Sequence, residues 1–391
     1  MTIQYPLASS SWNDEELDAI KAVTATGMFT MGEHVRKFEE EFAAYTGSKY
    51  CIMVNSGSSA NLLAIAALFY RAAGALKAGD EVIVPAVSWA TTYYPLSQYG
   101  LKLKFVDIDP DTLNFDLTAL AEAVTDSTRL IFAVNLLGNS NDFEAIGRII
   151  GDRQITIVED NCESMGATFK GKQCGTFGVM GTFSTFFSHH MSTMEGGLIV
   201  TDDEELYQIL KSTRSHGWTR GLPQKNHIIG ELSDDPFFES FRFVLPGYNL
   251  RPIEFSGAIG SCQLRKLPSF IEARRHNAVL FQELFGNDAR FSIQQEIGES
   301  SWFGFALTVT ERAGFDRKQV VDALRQAGIE CRPVVAGNFT RNPVIKWMTH
   351  EIHGTLRHAD RVHEHGLFVG NHQFPIDDHI RLLKQTLAKL G

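Results

Sequence analysis

Between residues 50 and 201 of this 391-residue chain, short apolar and β-branched runs alternate with longer stretches that mix apolar and polar residues. The runs have the length of buried strands and the longer stretches that of helices. We predict strands at 50–54, 81–85, 103–108, 130–134, 155–159 and 198–201, and helices that include 59–73 and 117–124. Such alternation predicts an α/β fold with a mostly parallel sheet covered by helices on both faces. Ligands of such sheets bind beyond the carboxyl ends of the strands.

The pattern changes near residue 250. The segment Thr201-Asp-Asp-Glu204 predicts a capping box at the start of one more helix, and a Gly-Tyr-Asn-Leu-Arg-Pro loop then occupies residues 247–252. After this loop we predict a long helix over 253–285, a strand over 302–309 and a helix over 317–327. The sequence therefore predicts a large α/β domain, residues 1–250, and a smaller C-terminal α+β domain, residues 251–391.

Composition narrows the class of protein. The net charge of -10 is unfavourable for binding nucleic acid phosphates, and no stretch of about 18 apolar residues suggests a membrane helix. The N-terminal residues lack the pattern of a signal peptide. The five cysteines are widely spaced, which predicts buried free thiols in a reducing compartment. We expect a cytoplasmic protein that binds neither nucleic acid nor a membrane.

Three segments that follow strands carry candidate chemistry. Asn55-Ser-Gly-Ser-Ser59 leads from a strand into a helix, where backbone N–H groups form a phosphate site. Asp160 ends a very apolar strand, where a carboxylate needs a partner such as a protonated ring nitrogen. Trp89 follows another strand and offers an aromatic face to a planar ligand. Each has a structural alternative: a plain strand–helix turn, a helix N-cap and a core tryptophan, respectively.

A fourth segment, residues 184–197, contains the pair His189-His190 and ends in Glu195-Gly-Gly. The pair suggests a metal site, but adjacent side chains of an extended chain point to opposite sides, so we predict no metal there. A buried histidine with a hydrogen-bonding partner is the structural alternative. The loop at residues 247–252 is a fifth segment, for which turn chemistry alone is an alternative.

The order of these five segments resembles the sugar aminotransferase family of fold type I pyridoxal-phosphate enzymes, over nearly the whole chain. The resemblance implies a homodimer with shared active sites and assigns cofactor contacts residue by residue. Ser56, Gly57, Ser58 and Ser184 would contact the phosphate, Trp89 would stack on the pyridine, Asp160 would hold the pyridine nitrogen, Glu163 would lie near the phenolic oxygen, and Asn249 would reach the phosphate of the neighbouring subunit.

One position departs from the family pattern. The lysine that binds the cofactor covalently lies five residues after the serine and six before the acidic residue of the Glu-Gly-Gly motif, and here that residue is His189. No lysine lies between Lys172 and Lys211. The segment Ser-His-His-Met-Ser-Thr-Met-Glu-Gly-Gly resembles the lysine-less 3-dehydratases of deoxysugar biosynthesis.

This resemblance implies removal of the C3 hydroxyl of a nucleotide-linked 4-keto-6-deoxyhexose, with GDP-4-keto-6-deoxy-D-mannose as the expected substrate. The cofactor would be pyridoxal or pyridoxamine 5′-phosphate held without a covalent bond, glutamate would restore the amine form, and His189 would act as base and acid. Arg251, His216 and Glu330 are candidate substrate residues. A related CDP-sugar dehydrase carries an iron–sulfur cluster, but the cysteine spacing here does not suit one.

Three other functions remain open from the sequence. An aminotransferase that uses an unrecognised lysine would make a stable aminosugar. A non-catalytic relative would not need Asp160, Ser184, Trp89 and Asn249 together. A hydrolase with a metal on the histidine pair would depend on that metal.

Overall fold

The computed structural model describes residues 3–390. Short 3₁₀ helices cover Leu136–Gly138, Phe339–Arg341 and Pro343–Trp347. The α-helices are α1 (Asp14–Thr26), α2 (Glu33–Thr46), α3 (Gly57–Leu68), α4 (Ala90–Gln98), α5 (Leu117–Ala123), α6 (Phe143–Ile150), α7 (Glu204–Thr213), α8 (Pro236–Glu239), α9 (Glu254–Phe285), α10 (Arg317–Gln326), α11 (Arg357–His365) and α12 (Asp377–Leu387). The strands are β1 (Tyr50–Val54), β2 (Glu81–Pro85), β3 (Lys102–Val106), β4 (Thr128–Val134), β5 (Thr156–Asp160), β6 (Thr168–Phe169), β7 (Lys172–Gln173), β8 (Met180–Ser184), β9 (Gly197–Thr201), β10 (Lys225–Asn226), β11 (Gly230–Glu231), β12 (Phe291–Ile293), β13 (Gly304–Val309), β14 (Cys331–Arg332), β15 (His350–Ile352) and β16 (Gly366–Gly370).

The main sheet has the strand order β1-β9-β8-β5-β4-β2-β3-β15. Strand β9 is antiparallel to both of its neighbours, β1 and β8, and the other neighbouring strands of this sheet are parallel to each other. This arrangement confirms the predicted α/β class with a mostly parallel sheet. The carboxyl ends of β1, β2, β4, β5 and β8 therefore meet at one edge, where the segments that carry the candidate residues begin.

Strands β8 and β15 of this sheet were not predicted from the apolar pattern, and β8 lies inside the sheet. The sequence of β8, Met-Gly-Thr-Phe-Ser, contains no run of β-branched apolar residues. Gly181 is required inside it, since a Cβ at this position would lie 2.1 Å from the carbonyl oxygen of Gly175. Close backbone packing at Gly181, together with the buried side chains of Met180 and Phe183, holds this strand between β9 and β5.

The predicted capping box at residues 201–204 is wrong. Thr201 is the last residue of β9 and pairs with Tyr50, and its hydroxyl donates to the carbonyl of Val179. Asp203 is the N-cap of α7, and its carboxylate accepts from the backbone N–H of Leu206 at 3.0 Å. The helix therefore begins later because the sheet holds the threonine.

A second core forms around the antiparallel sheet β12-β13-β16-β14 and the helices α9, α10 and α12. Two segments cross the predicted division at residue 250. Tyr5 is buried in this second core, and β15 pairs with β3 of the main sheet. The exact domain boundary stays a prediction. Within residues 3–390, no helix is both long and apolar enough to cross a membrane.

The long helix α9 joins the two cores, and its C-terminal half depends on aromatic packing. Phe281 is fully buried and stacks on Phe305 of β13, with ring centroids 4.3 Å apart. We expect Phe281→Ala to lower the free energy of unfolding by about 3–5 kcal/mol, because it leaves a cavity between helix and sheet. Val279→Ala on the exposed face of α9 should change it by less than about 0.5 kcal/mol. Denaturant titrations at one protein concentration measure both values, and equal losses would contradict this account.

Candidate active site

A cavity of about 630 Å³ lies beyond the carboxyl ends of the main-sheet strands. Eight of the residues predicted from sequence line it: Ser56, Gly57, Ser58, Trp89, Asp160, Glu163, Ser184 and His189. These residues come from several separate segments, so the fold itself brings the predicted set together. The role of each residue remains a prediction.

One end of the cavity is formed by the first turn of α3. Ser56 caps this helix by accepting from the backbone N–H of Ser59 at 3.1 Å. Gly57 packs so closely against β8 that a Cβ there would lie 2.6 Å from Cβ of Ser184. The first N–H groups of a helix have no partner within it, and they attract an anion. With the hydroxyl groups of Ser58 and Ser184 beside it, this turn fits a phosphate group.

Asp160 lies deeper in the cavity and is 5% exposed. Its Oδ2 accepts from Asn61 Nδ2 and Thr92 Oγ1, each at 2.8 Å, and its Oδ1 accepts from the backbone N–H of Cys162 at 3.1 Å. None of these donors carries a positive charge. A buried carboxylate with neutral donors only, at the edge of a cavity, fits a cationic ring nitrogen.

Trp89 is 60% exposed, so the alternative of a core tryptophan is wrong. It is the N-cap residue of α4 and lines the cavity, which leaves its indole free to contact a ligand. Together with the phosphate-sized turn and the buried carboxylate, this aromatic side chain makes the cavity suitable for a phosphorylated pyridine.

The two adjacent histidines contact the same aromatic side chain. The rings of His189 and His190 pack against Phe303, at centroid distances of 5.2 and 5.7 Å. The chain is not extended here as predicted: it turns, and the N–H of His189 donates to the carbonyl of Phe186 at 2.9 Å. His189 lines the cavity, and His190 does not. His190 Nε2 lies 3.1 Å from the carbonyl oxygen of Ser301, as expected of a buried structural histidine.

His189 is half-buried, and its Nδ1 has no hydrogen-bond partner in the part of the chain that the structure describes. Desolvation lowers the pKa of His189 to about 4, and the charge of the buried Arg274 acts in the same direction. The same two causes lower the pKa of His190. The imidazole of His189 is therefore neutral at physiological pH and able to accept a proton. Within residues 3–390, no cluster of three or more His, Cys, Asp or Glu side chains could hold a metal ion.

Glu163 adds a carboxyl group that titrates near neutrality. Burial raises its pKa to about 7, and the charge of Asp160 adds to the increase. The backbone N–H of Leu137 donates to Oε2 at 3.0 Å and partly offsets both effects. In its protonated form Glu163 is able to donate a hydrogen bond to a ligand oxygen.

Four predicted residues do not line this cavity. Asn249 is exposed and accepts from Arg251 Nε at 2.9 Å. The ring of His216 packs 5.1 Å from that of Trp218. Glu330 accepts from the backbone N–H of Leu7 at 2.9 Å. Their predicted contacts with cofactor or substrate therefore remain predictions.

Sequence reasoning missed several cavity residues. Leu7, Phe303 and Arg332 come from segments far apart along the chain, and no local pattern marks them. Asn61 had a signal, since it lies four residues after Gly57 and so on the same face of α3. Cys162 also lines the cavity. All five cysteines are free, but Cys162 and Cys331 are half-buried rather than buried as predicted.

Comparisons of this chain with known proteins, by family profile, by sequence and by structure, agree with one another. The profile of the DegT/DnrJ/EryC1/StrS aminotransferase family matches residues 10–381. The GDP-4-keto-6-deoxy-D-mannose 3-dehydratase of Yersinia pseudotuberculosis is 59% identical over 388 residues, which are 99% of this chain and 99% of that protein. The E. coli GDP-4-keto-6-deoxy-D-mannose-3-dehydratase with bound hydrated PLP has a TM-score of 0.98 and 58% identity, and the match covers 99% of this chain and 100% of that one.

A further solved structure is GDP-4-keto-6-deoxymannose-3-dehydratase with a trapped PLP-glutamate geminal diamine. It has a TM-score of 0.97 and 58% identity, with 98% of this chain and 100% of that chain covered. Profile, sequence and structure thus agree over nearly the full length. The chain belongs to the DegT/DnrJ/EryC1/StrS aminotransferase family.

Proposed function

We propose that this protein is a pyridoxal-phosphate-dependent 3-dehydratase that removes the C3 hydroxyl of GDP-4-keto-6-deoxy-D-mannose and uses glutamate to restore the amine form of its cofactor. The observation that carries this proposal is a neutral imidazole, His189, in the wall of a cavity whose other residues fit the cofactor. The relatives that match over the full length are named for this reaction, and solved relatives hold PLP and a PLP-glutamate adduct.

When bound, the cofactor supplies an electron sink and an exchangeable amine. The first turn of α3 with Ser58 and Ser184 would hold its phosphate, Trp89 would stack on its ring, and Asp160 would keep its ring nitrogen protonated. Glu163 would donate to its phenolic oxygen. Each of these side chains lines the cavity without rearrangement of the backbone.

His189 supplies acid and base in this proposal. Its neutral ring accepts a proton, and the imidazolium that results donates a proton to the C3 hydroxyl as it leaves. No lysine lines the described cavity, which disfavours the aminotransferase alternative. The buried Asp160 and its donors disfavour the non-catalytic alternative, because a protein without chemistry at the ring has no use for a charge there.

We also propose a cytoplasmic homodimer in which Asn249 reaches the cofactor phosphate of the partner subunit. Asn249 is exposed and does not line the cavity of its own chain. Near its loop, Trp218 contacts Phe241 and Phe243, and these two phenylalanines are 70% and 54% exposed. An apolar surface of this kind is suited to burial against a second copy. The five free cysteines suit a reducing compartment.

The first prediction concerns the missing lysine. We expect His189→Lys to lower the rate of 3-deoxy product and ammonia formation at least ~100-fold, because it removes the acid and base. Borohydride should then fix the cofactor to His189→Lys but not to the parent, as mass spectrometry of the intact protein would show. The assay contains enzyme, pyridoxal phosphate, glutamate and GDP-4-keto-6-deoxymannose. Other nucleotide keto-sugars in the same assay define the substrate.

Phe187→Lys is the matched control, since Phe187 is 48% exposed and does not line the cavity. It should leave both dehydration and borohydride labelling as in the parent. The proposal fails if borohydride attaches the cofactor irreversibly to the parent protein, or if His189→Lys dehydrates the sugar at the rate of the parent.

The second prediction concerns the pH dependence of stability in the cofactor-free protein. The folded pKa of Glu163 is raised, so the stability that this group contributes is present below its ordinary pKa and is lost as pH rises through about 7. We expect the thermal midpoint of the parent to fall relative to that of Glu163→Gln as pH rises from about 4.5 to about 7. Glu272→Gln, on the exposed side of α9, should show no such difference. A constant difference between parent and Glu163→Gln would show that Glu163 titrates normally.

The third prediction tests shared active sites. In a hybrid dimer of His189→Asn and Asn249→Ala subunits, one site has both defects and the other has neither. Mixing the two variants under conditions that exchange subunits should therefore raise activity above that of either variant alone, to about a quarter of the parental value for random pairing. Two His189→Asn preparations, mixed as a control, should stay inactive. If Asn249 acts within its own subunit, the mixture recovers nothing.

A further inference from the structure

The two oxygens of the Asp160 carboxylate have different surroundings. Oδ2 accepts two side-chain hydrogen bonds, from Asn61 Nδ2 and Thr92 Oγ1, whereas Oδ1 accepts one backbone hydrogen bond, from Cys162. Asn61 and Thr92 are 1% and 0% exposed. Two buried donors on one oxygen fix the rotation of the carboxylate and leave Oδ1 with the capacity to accept a further donor.

Both donors are oriented by hydroxyl groups behind them. Thr182 Oγ1 donates to Asn61 Oδ1 at 2.6 Å, so the NH₂ group of this amide faces Asp160. Ser88 Oγ lies 2.8 Å from Thr92 Oγ1. Since Thr92 gives its only hydroxyl proton to Asp160, Ser88 is the donor in that pair. The chain of hydrogen bonds therefore has one consistent direction, and it ends on the carboxylate.

The helices that carry Asn61 and Thr92 also begin at two of the proposed cofactor contacts, the phosphate site and Trp89. Asn61 lies one turn after Gly57 on α3, and Thr92 lies three residues after Trp89 on α4. The two helices are joined at the cavity by the hydrogen bond from Ser58 to Thr91, 3.0 Å long. A shift of either helix would move the carboxylate together with the phosphate site or the aromatic ring.

From this geometry we infer that Asn61 and Thr92 are positioning residues: they hold Asp160 so that Oδ1 faces the pyridine nitrogen and the nitrogen stays protonated. The inference rests on the proposed function, because it requires the cofactor in this cavity. The two donors compensate the desolvation of a buried charge that has no ionic partner among residues 3–390. Without them, only the backbone N–H of Cys162 would hold the carboxylate, which would be less fixed in rotation and less able to stabilise a cationic ring.

Thr92→Val tests this inference because valine has nearly the volume of threonine and lacks the hydroxyl. The probe is pyridoxal 5′-phosphate labelled with ¹⁵N in the ring, added to the full-length protein. Its nitrogen chemical shift, followed over pH, reports protonation. We expect the ratio of protonated to neutral ring nitrogen to fall about tenfold in the variant, as for a lost hydrogen bond to a charged group. The kcat should fall by a similar factor, and the KM for the sugar nucleotide should change less than ~3-fold.

Three further variants separate positioning from general damage. Thr92→Ser keeps the hydroxyl and should restore the parental chemical shift. Asn61→Leu removes the other donor and should change the shift in the same direction, which keeps the test valid if one variant fails to fold. Thr46→Val removes a buried hydroxyl of α2 that bonds only to its own helix, and it should change nothing.

Two outcomes would overturn the inference, and they are distinguishable. If the parent binds the probe with a protonated nitrogen and neither Thr92→Val nor Asn61→Leu alters it, the positioning role is wrong while the proposed function stands. If the parent gives no signal of bound probe, the proposed function fails and this inference fails with it.

Discussion

This site depends on one constraint: a carboxylate is buried at the end of a central strand, and the described residues 3–390 give it no cationic partner. Asp160 ends β5, and an uncompensated charge at that depth would cost several kcal/mol or more. The surrounding segments compensate it with neutral donors from α3, from α4 and from the chain that follows β5. The residual negative potential faces the cavity, and this potential suits a protonated ring better than any neutral ligand.

The second feature on which the proposed reaction depends is an uncharged base. The resemblance predicts a lysine, which would be cationic unless strongly perturbed, at the position that His189 occupies. Burial lowers the pKa of His189, and the charge of Arg274 adds a smaller decrease. Arg274 itself is buried and donates to the carbonyls of Phe303 and Asn371, so its position is fixed by the second core. The main sheet thus supplies the groups that fit the ring and phosphate, and the second core supplies the charge that adjusts the histidine.

The sequence predicts those parts of the fold and of the site that are marked by a local pattern of residues. Strands β1, β2 and β5 have recognisable apolar runs. Asp160 is the last residue of β5, and Ser56 and Trp89 lie in the segments that follow β1 and β2, so all three lie at one edge of the sheet. Strand β8 was not predicted because glycine and hydroxyl residues interrupt its apolar residues. Its position in the sheet depends on close contact with Gly175. The turn at the two histidines was also not predicted, and their contact with Phe303 joins residues far apart in the sequence. Arg332 and Leu7 line the cavity because of contacts between residues far apart in the sequence, and a local sequence pattern cannot predict such contacts.

The anchoring of Leu7 has a consequence for biosynthesis. Its backbone N–H is bound by Glu330, 323 residues further along the chain, and the preceding Tyr5 is buried among side chains of the C-terminal third. While the ribosome is still producing that third, the first residues to emerge have no surface to pack against. The wall of the cavity that Leu7 forms is therefore completed only after nearly the whole polypeptide has been released, so the nascent enzyme has no finished pocket in which to retain its coenzyme.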